Sequence, residues 1–164
     1  QASKEQIDML LANIRECNRG AIIINGASKL TVDDPKAIKG KNVLVIEDGP
    51  TLTHGGMSFG AGVVAAKQFG AANLVDPRPY AVGSIKKAYA QYPHMGALLP
   101  ALGYYKDQLL DLEKTVRATP ADIVLVASPI DIRRVIKLDK PSMRVKYSLE
   151  EIGKPTLEEV LAKF

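Results

Sequence analysis

The stretch NVLVIEDGPTLTHGGMSFGAG (residues 42–62) decides the fold that the sequence predicts. Its first seven residues, Asn42–Asp48, form the strongest strand pattern in the chain, because they are short, rich in branched apolar side chains and apolar on both faces. A loop from Gly49 to Gly56 and a helix near residues 58–69 are predicted to follow. A buried strand that leads into a helix is the repeating unit of a parallel α/β sheet.

The same alternation continues along the chain. Further strands are predicted at residues 21–25, 72–76, 97–102 and 123–127, with an edge strand at 144–149. Helices are predicted at residues 4–17, 84–92 and 106–117, and a last helix begins at the capping-box pair Thr156 and Glu159. Residues 26–40 are expected to form a polar connection. The predicted fold class is α/β: a three-layer, Rossmann-like, mostly parallel sheet with helices on both faces.

Composition excludes several classes of protein. The 164 residues include 22 basic and 18 acidic side chains, for a net charge of +4, and aromatic residues make up 5%. The 46% hydrophobic content is that of an ordinary globular domain rather than a disordered chain. Cys17, the single cysteine, excludes an internal disulfide and a multi-cysteine zinc site. We therefore expect a cytoplasmic protein that binds neither nucleic acid nor membrane.

The segment from Glu47 to Gly62 carries the main candidate site. Two carboxylates end the strand, and threonines, a histidine and four glycines lead into the helix. Glycine amides and a helix N-terminus attract anions, so the segment predicts a cradle for phosphate or carboxylate, with Glu47 and Asp48 as candidate ligands of a hydrated Mg²⁺. It matches neither the P-loop nor the dinucleotide fingerprint. The alternative is that the glycines only permit close helix–sheet packing, with Thr51 or Thr53 as caps.

Three further side chains are candidates, each with a structural alternative. His54 lies within the same loop and is a candidate acid–base group, or a histidine that bonds only to nearby backbone. Arg78, between two prolines, is placed to meet a phosphate, or only to pair with Asp76. Asp131 is placed to meet a ribose or base edge, or to cap a helix.

Three strings, VLVIEDGPTLTHGGMSFGAG, VDPRPYAVGSI and ASPIDIRRVI, resemble the C-terminal part of a family of predicted P-loop GTPases described as cyclic 2,3-diphosphoglycerate synthetase-like. The resemblance runs from about residue 7 to residue 149. It implies that residues 1–39 end an upstream P-loop GTPase-like domain, and that residues 40–164 form a C-terminal Rossmann-like domain. It also implies a GTP or ATP cofactor with Mg²⁺, and base contacts from Ala27, Ser28 and Lys29. The chain lacks the P-loop, so it is expected to be inactive alone.

Two hypotheses about function follow. The first is a nucleotide- and phosphate-binding portion of a nucleotide-dependent phosphoryl-transfer enzyme, which acts on a phosphorylated small molecule and needs a missing upstream region or partner chain. The second is a non-catalytic interaction or regulatory domain that forms homo-oligomers through strand 144–149 and the last helix. A dinucleotide or coenzyme A binder is a weaker third. The candidate residues are His54 and Asp48 for catalysis, Thr51, Thr53, Gly55, Gly56, Arg78 and Asp131 for phosphate or substrate, Ala27, Ser28 and Lys29 for the base, and Glu47 and Asp48 for metal.

Overall fold

The computed structural model describes residues 2–103 and 105–164. It contains six α-helices in that part of the chain: α1 (Lys4–Cys17), α2 (Gly49–Thr53), α3 (Ala61–Gln68), α4 (Gly83–Gln91), α5 (Lys106–Ala118) and α6 (Leu157–Leu161). The strands there are β1 (Gly26–Thr31), β2 (Asn42–Asp48), β3 (Asn73–Leu74), β4 (Leu99–Ala101), β5 (Ile123–Ala127), β6 (Ser142–Arg144) and β7 (Lys146–Glu151).

The chain divides into two compact units. Residues 30–147 form the larger unit, and residues 1–29 together with residues 148–164 form the smaller one. These compact units divide after Lys29 and before Ser148. The domain boundary at 39/40, which the resemblance implies, remains a prediction.

A five-stranded parallel sheet is the centre of the larger unit. β2 pairs along one side with β5, and β5 in turn pairs with β6. On its other side β2 pairs with β3 through Asn42 and Val43, and with β4 through the last three residues of β2. The strongest strand pattern in the sequence is therefore the most extensively paired strand of the sheet.

Helices cover both faces of this sheet. Val43 and Val45 of β2 pack in one apolar cluster with α3, whereas Leu44 and Ile46 pack in a second cluster with α5. The division follows from the period of two in a strand, which sends successive side chains to opposite faces. The predicted α/β class, with a mostly parallel sheet between two helical layers, is confirmed.

Local predictions near the chain ends were only partly right. The predicted strand at residues 21–25 is irregular, and β1 instead occupies residues 26–31, which were expected to be a connection. β1 pairs with β7, so the strand position depends on a backbone partner more than a hundred residues away. The predicted edge strand at 144–149 is divided: β6 joins the large sheet and β7 joins β1. An apolar run by itself does not identify its pairing partner.

The helices agree better. α1, α4 and α5 lie within one or two residues of their predicted bounds, and Thr156 and Glu159 form the expected capping box at α6. The helix predicted near 58–69 begins later, at Ala61, and the preceding loop contains the short helix α2. Within the described residues, no helix has the length and apolar character that crossing a membrane would require.

Candidate functional site

The carboxyl ends of β2 and β5 form a crevice at one edge of the parallel sheet. The chain leaves β2 through α3 on one face to reach β3, and it reaches β5 through α5 on the other face. Crossovers that leave a central pair of strands on opposite faces open a gap at their carboxyl ends, which is where such sheets bind ligands. The segments that begin at Asp48 and Ser128 flank this gap.

A pocket of about 380 Å³ lies on the α5 face of the crevice. Its volume is within the range of about 300–1,000 Å³ that is usual for small-molecule sites. The lining is mostly apolar, and Asp48 is the charged residue among the described residues that form it. The full lining is Asp48, Pro50, Ala101, Leu102, Gly103, Leu109, Leu112, Ser128, Pro129, Ile130, Ile132 and Val135.

Asp48 is held in a defined position by the start of α2. Its Oδ2 accepts hydrogen bonds from the Thr51 backbone amide at 3.3 Å and from Thr51 Oγ1 at 2.8 Å. The side chain caps the helix, as short acidic and hydroxyl residues commonly do. The carboxylate is thus oriented by its own chain and remains half-buried beside the pocket.

A smaller recess of about 170 Å³ lies on the α3 face of the same crevice. Glu47, Thr51 and Tyr147 are its polar lining residues besides Asp48. Asp48 therefore borders both recesses. The remaining lining residues are Ala61, Ala127 and Pro129.

Glu47 is buried, with 2% of its surface exposed. Its Oε1 accepts hydrogen bonds from the backbone amides of Gly60, at 3.1 Å, and Val63, at 2.9 Å, at the N-terminus of α3. Burial raises the pKa of the Glu47 carboxyl above its usual value of 4.5, and the amides of Val63, Gly62 and Gly60 oppose that rise. A carboxylate of the chain itself thus occupies the first turn of this helix.

The glycines before and within α3 make room for that carboxylate. A Cβ atom at Gly60 would lie 2.6 Å from Glu47 Oε2, and one at Gly62 would lie 2.5 Å from Val45 Cγ1. Both distances are well below van der Waals contact, so the backbone of α3 approaches β2 at a distance that only glycine allows. This is the close helix–sheet packing that was the structural alternative for the segment.

Gly55 and Gly56, over which an anion cradle was expected, lie just after the end of α2. The Gly55 amide donates to the Pro50 carbonyl at 3.1 Å, because Gly55 follows the end of α2 instead of starting a helix. Gly56 has a positive φ of 64°. At the start of the next helix the amides of Gly60 and Val63 already donate to Glu47, and an anion site at Gly55 and Gly56 remains a prediction.

The two carboxylates make their hydrogen bonds to different helices. They are adjacent in β2, and they diverge, because Glu47 bonds to α3 whereas Asp48 caps α2. No group of three or more His, Cys, Asp or Glu side chains suited to a metal occurs in residues 2–103 and 105–164. The hydrated Mg²⁺ expected beside Glu47 or Asp48 remains a prediction, and both carboxylates border the smaller recess.

Arg78 and Asp131 are each paired with a near neighbour. Arg78 Nη2 lies 2.6 Å from Asp76 Oδ2 and its Nε bonds to the same carboxylate. Asp131 caps a short 3-10 turn and receives two hydrogen bonds from the Arg133 guanidinium, which lower its pKa to about 2. Both contacts match the structural alternatives that the sequence left open, and neither residue lines the two recesses.

The other predicted site residues are dispersed. His54 is exposed at the end of α2, where its Nδ1 lies 3.0 Å from Thr53 Oγ1, and Thr53 also bonds to the Gly49 carbonyl. Ala27, Ser28 and Lys29 form part of β1 in the smaller unit instead of a loop, and Lys29 pairs with Glu150 at 2.6 Å. The structure brings only Asp48, Thr51 and Glu47 of the predicted set to the crevice.

Sequence reasoning missed the segment after β4. Leu102 and Gly103 line the larger pocket together with Ser128 and Ile130. A signal was present, since residues after a parallel strand always reach the ligand-binding edge of the sheet.

Comparison with known proteins gives one substantial match. A protein from Thermococcus kodakarensis named arginine synthetase ArcE is 54% identical to this chain over 163 residues. The match covers 99% of this chain and 36% of that relative, so the chain spans about a third of the relative's length. No protein-family model matches the chain.

Proposed function

We propose that this chain is one portion of a nucleotide-dependent synthetase, and that the pocket between β2 and β5 binds the basic, nitrogen-containing part of its organic substrate or product. The observation that carries the proposal is the position of Asp48 as the charged group of a mostly apolar pocket at the carboxyl edge of the sheet. The similarity to a protein named arginine synthetase supports it.

The chemistry of the pocket favours a cation with an aliphatic stem. A carboxylate beside apolar walls attracts an ammonium or guanidinium group more strongly than it would in water, because the local dielectric constant is lower. Leu102, Leu109 and Leu112 offer apolar surface to methylene groups. Arginine, whose planar guanidinium can pair with a carboxylate through two hydrogen bonds, has both features.

The same chemistry disfavours a phosphorylated ligand in this pocket. Asp48 would repel a phosphate, and the described lining supplies no arginine, lysine or histidine to offset that repulsion. The resemblance to predicted P-loop GTPases enters the proposal differently. It implies GTP or ATP with Mg²⁺, with base contacts from Ala27, Ser28 and Lys29 and with phosphate contacts from a P-loop that is not among these 164 residues.

Isothermal titration of the chain with arginine, norleucine, 2,3-bisphosphoglycerate, GTP and ATP tests this function. We expect arginine to bind more tightly than norleucine, which has a similar stem without the guanidinium. Asp48→Asn should weaken arginine binding by about 10- to 100-fold, because it removes the charge-assisted contact, while asparagine still caps α2.

Asp107→Asn is the matched control, since Asp107 is an exposed aspartate in the first turn of α5. It should bind arginine like the unchanged chain. Binding of 2,3-bisphosphoglycerate in preference to arginine, or an Asp48→Asn chain with unchanged affinity for arginine, would contradict the proposal.

A further inference from the structure

The smaller unit has no core of its own. None of the described residues in 2–29 and 148–164 is buried, although the larger unit buries more than twenty apolar side chains. α1 has a helical apolar stripe, yet Leu10 is 59% exposed and no residue of that helix is buried. A helix of 14 residues is marginal in water unless its apolar face packs against something.

The second segment of this unit, residues 148–164, also leaves apolar side chains exposed. An open groove of about 680 Å³ runs between β7 and α6, and its apolar lining residues are Leu149, Leu157, Leu161 and Ala162. Leu149 is 76% exposed and Leu161 is 60% exposed. Two acidic side chains, Glu151 and Glu158, border the groove. An apolar groove with a polar border is typical of a surface that another polypeptide covers.

We infer that this surface, formed by the apolar side of α1 and the groove between β7 and α6, packs against the part of a longer protein that lies outside this chain. The relative from Thermococcus kodakarensis supplies the argument for that occupant. It matches this chain from end to end, yet nearly two thirds of its length lies outside the match. The missing core residues of the smaller unit are then provided by that remaining region.

The inference rests on the part of the proposed function that makes this chain one portion of a larger synthetase, and it does not depend on what the pocket binds. Its test therefore involves no ligand. A pocket that fails to bind arginine would leave the docking surface unaffected, and an uncovered surface would leave the pocket unaffected.

Amide hydrogen exchange, measured on this chain and on the full-length relative, tests the inference. The segments of the relative that match α1 and α6 should exchange at least 10-fold more slowly than the same segments of the isolated chain. The segment that matches α5, which packs within the larger unit, serves as the internal reference and should change far less. Equal exchange of the α1 segment in both proteins would overturn the inference.

Light scattering on the isolated chain tests whether a second copy of the chain covers this surface instead. Protection of α1 in an isolated chain that proves to be a dimer would assign the surface to self-association and would also overturn the inference. A monomeric chain with fast exchange in α1 would support it.

A pair of substitutions in the full-length relative gives a second measurement. Leu10→Glu, made at the matching position, should lower its melting temperature or prevent folding, because it places a charge in a buried contact. Leu110→Glu is the matched control, since Leu110 is an exposed leucine of α5 with 43% of its surface accessible. Equal effects of the two changes would count against the inference.

Discussion

Glu47 is a buried carboxylate of β2 that accepts hydrogen bonds from backbone amides at the start of α3. It lies near the end of a buried strand and before a glycine-rich segment, which is the pattern of an anion site. In the structure its carboxylate is itself the anion at the N-terminus of α3. The helix amides and the partial positive charge of the helix end stabilise the ionised form, while burial destabilises it.

The raised pKa of Glu47 gives a prediction about stability and pH. Between its unfolded value near 4.5 and its higher folded value, the native state binds more protons than the unfolded state, so Glu47 lowers the free energy of unfolding as pH rises. Glu47→Gln removes this titration, and its amide oxygen can still accept from Gly60 and Val63. We expect the stability of the variant, relative to the unchanged chain, to increase from pH 4 to pH 7.

Urea denaturation at the two pH values measures this difference. Glu16→Gln, a change at an exposed glutamate of α1, is the control and should show no such trend. A Glu47→Gln chain whose relative stability falls between pH 4 and pH 7 would show that the amides outweigh burial at this site.

At the scale of elements, the contact between α3 and β2 decides how the ligand-binding edge is built. α3 lies so close to β2 that a Cβ atom at Gly62 would overlap Val45 and Ala127, and a Cβ atom at Gly60 would overlap Glu47. This close approach places Ala61 and Glu47 at the smaller recess, beside Asp48. The glycines of the 42–62 stretch thus serve packing at positions 60 and 62.

Gly62→Ala tests this packing. The added methyl group would lie 2.5 Å from Val45 Cγ1 and 2.9 Å from Ala127 Cβ. Overpacking of this kind costs about 1–3 kcal/mol. Alanine gains about 1 kcal/mol over glycine only in a helix interior, and Gly62 is the second residue of α3, where the gain is smaller. We therefore expect a net loss of stability in chemical denaturation.

Gly20→Ala is the control for that substitution, because the nearest atom to its new Cβ is 3.6 Å away. A change at an unconstrained surface position usually stays within about 0.5 kcal/mol. If the two substitutions change the free energy of unfolding by similar amounts, α3 can move away from β2 at little cost and the contact does not require glycine.

At the scale of the whole molecule, stability is concentrated in residues 30–147. The buried apolar residues in the described part of the chain all fall between Ile38 and Val145. The smaller unit contributes none of them. The larger unit therefore contains its complete hydrophobic core, which is the main source of folding free energy.

A truncated chain of residues 30–147 should consequently keep a cooperative thermal transition. We expect its melting temperature to lie within a few degrees of that of the 164-residue chain, as followed by circular dichroism. Loss of the cooperative transition in the truncated chain would show that the terminal segments supply stability that burial does not account for.

Much of the larger unit could be predicted from the sequence, because its elements depend on local patterns. The apolar run of β2 and the helical stripe of α5 each specify a conformation through neighbouring residues alone, as does the capping box of α6 in the smaller unit. From these followed the α/β class, the parallel sheet and the position of Asp48 at its carboxyl edge. These three features could be predicted without knowing which side chains contact each other in the folded chain.

The remainder depended on contacts between residues far apart in the chain. The bonding of Glu47 to α3, the pairing of β1 with β7 and the exposure of Leu10 follow from the backbones and side chains that lie opposite them. Periodicity places an apolar stripe on α1 but does not say what covers it. Only the tertiary structure decided that the amides of Gly60 and Val63 bond to Glu47 and that the pocket lies beside Asp48, because hydrogen-bond partners and cavities arise when distant segments pack together.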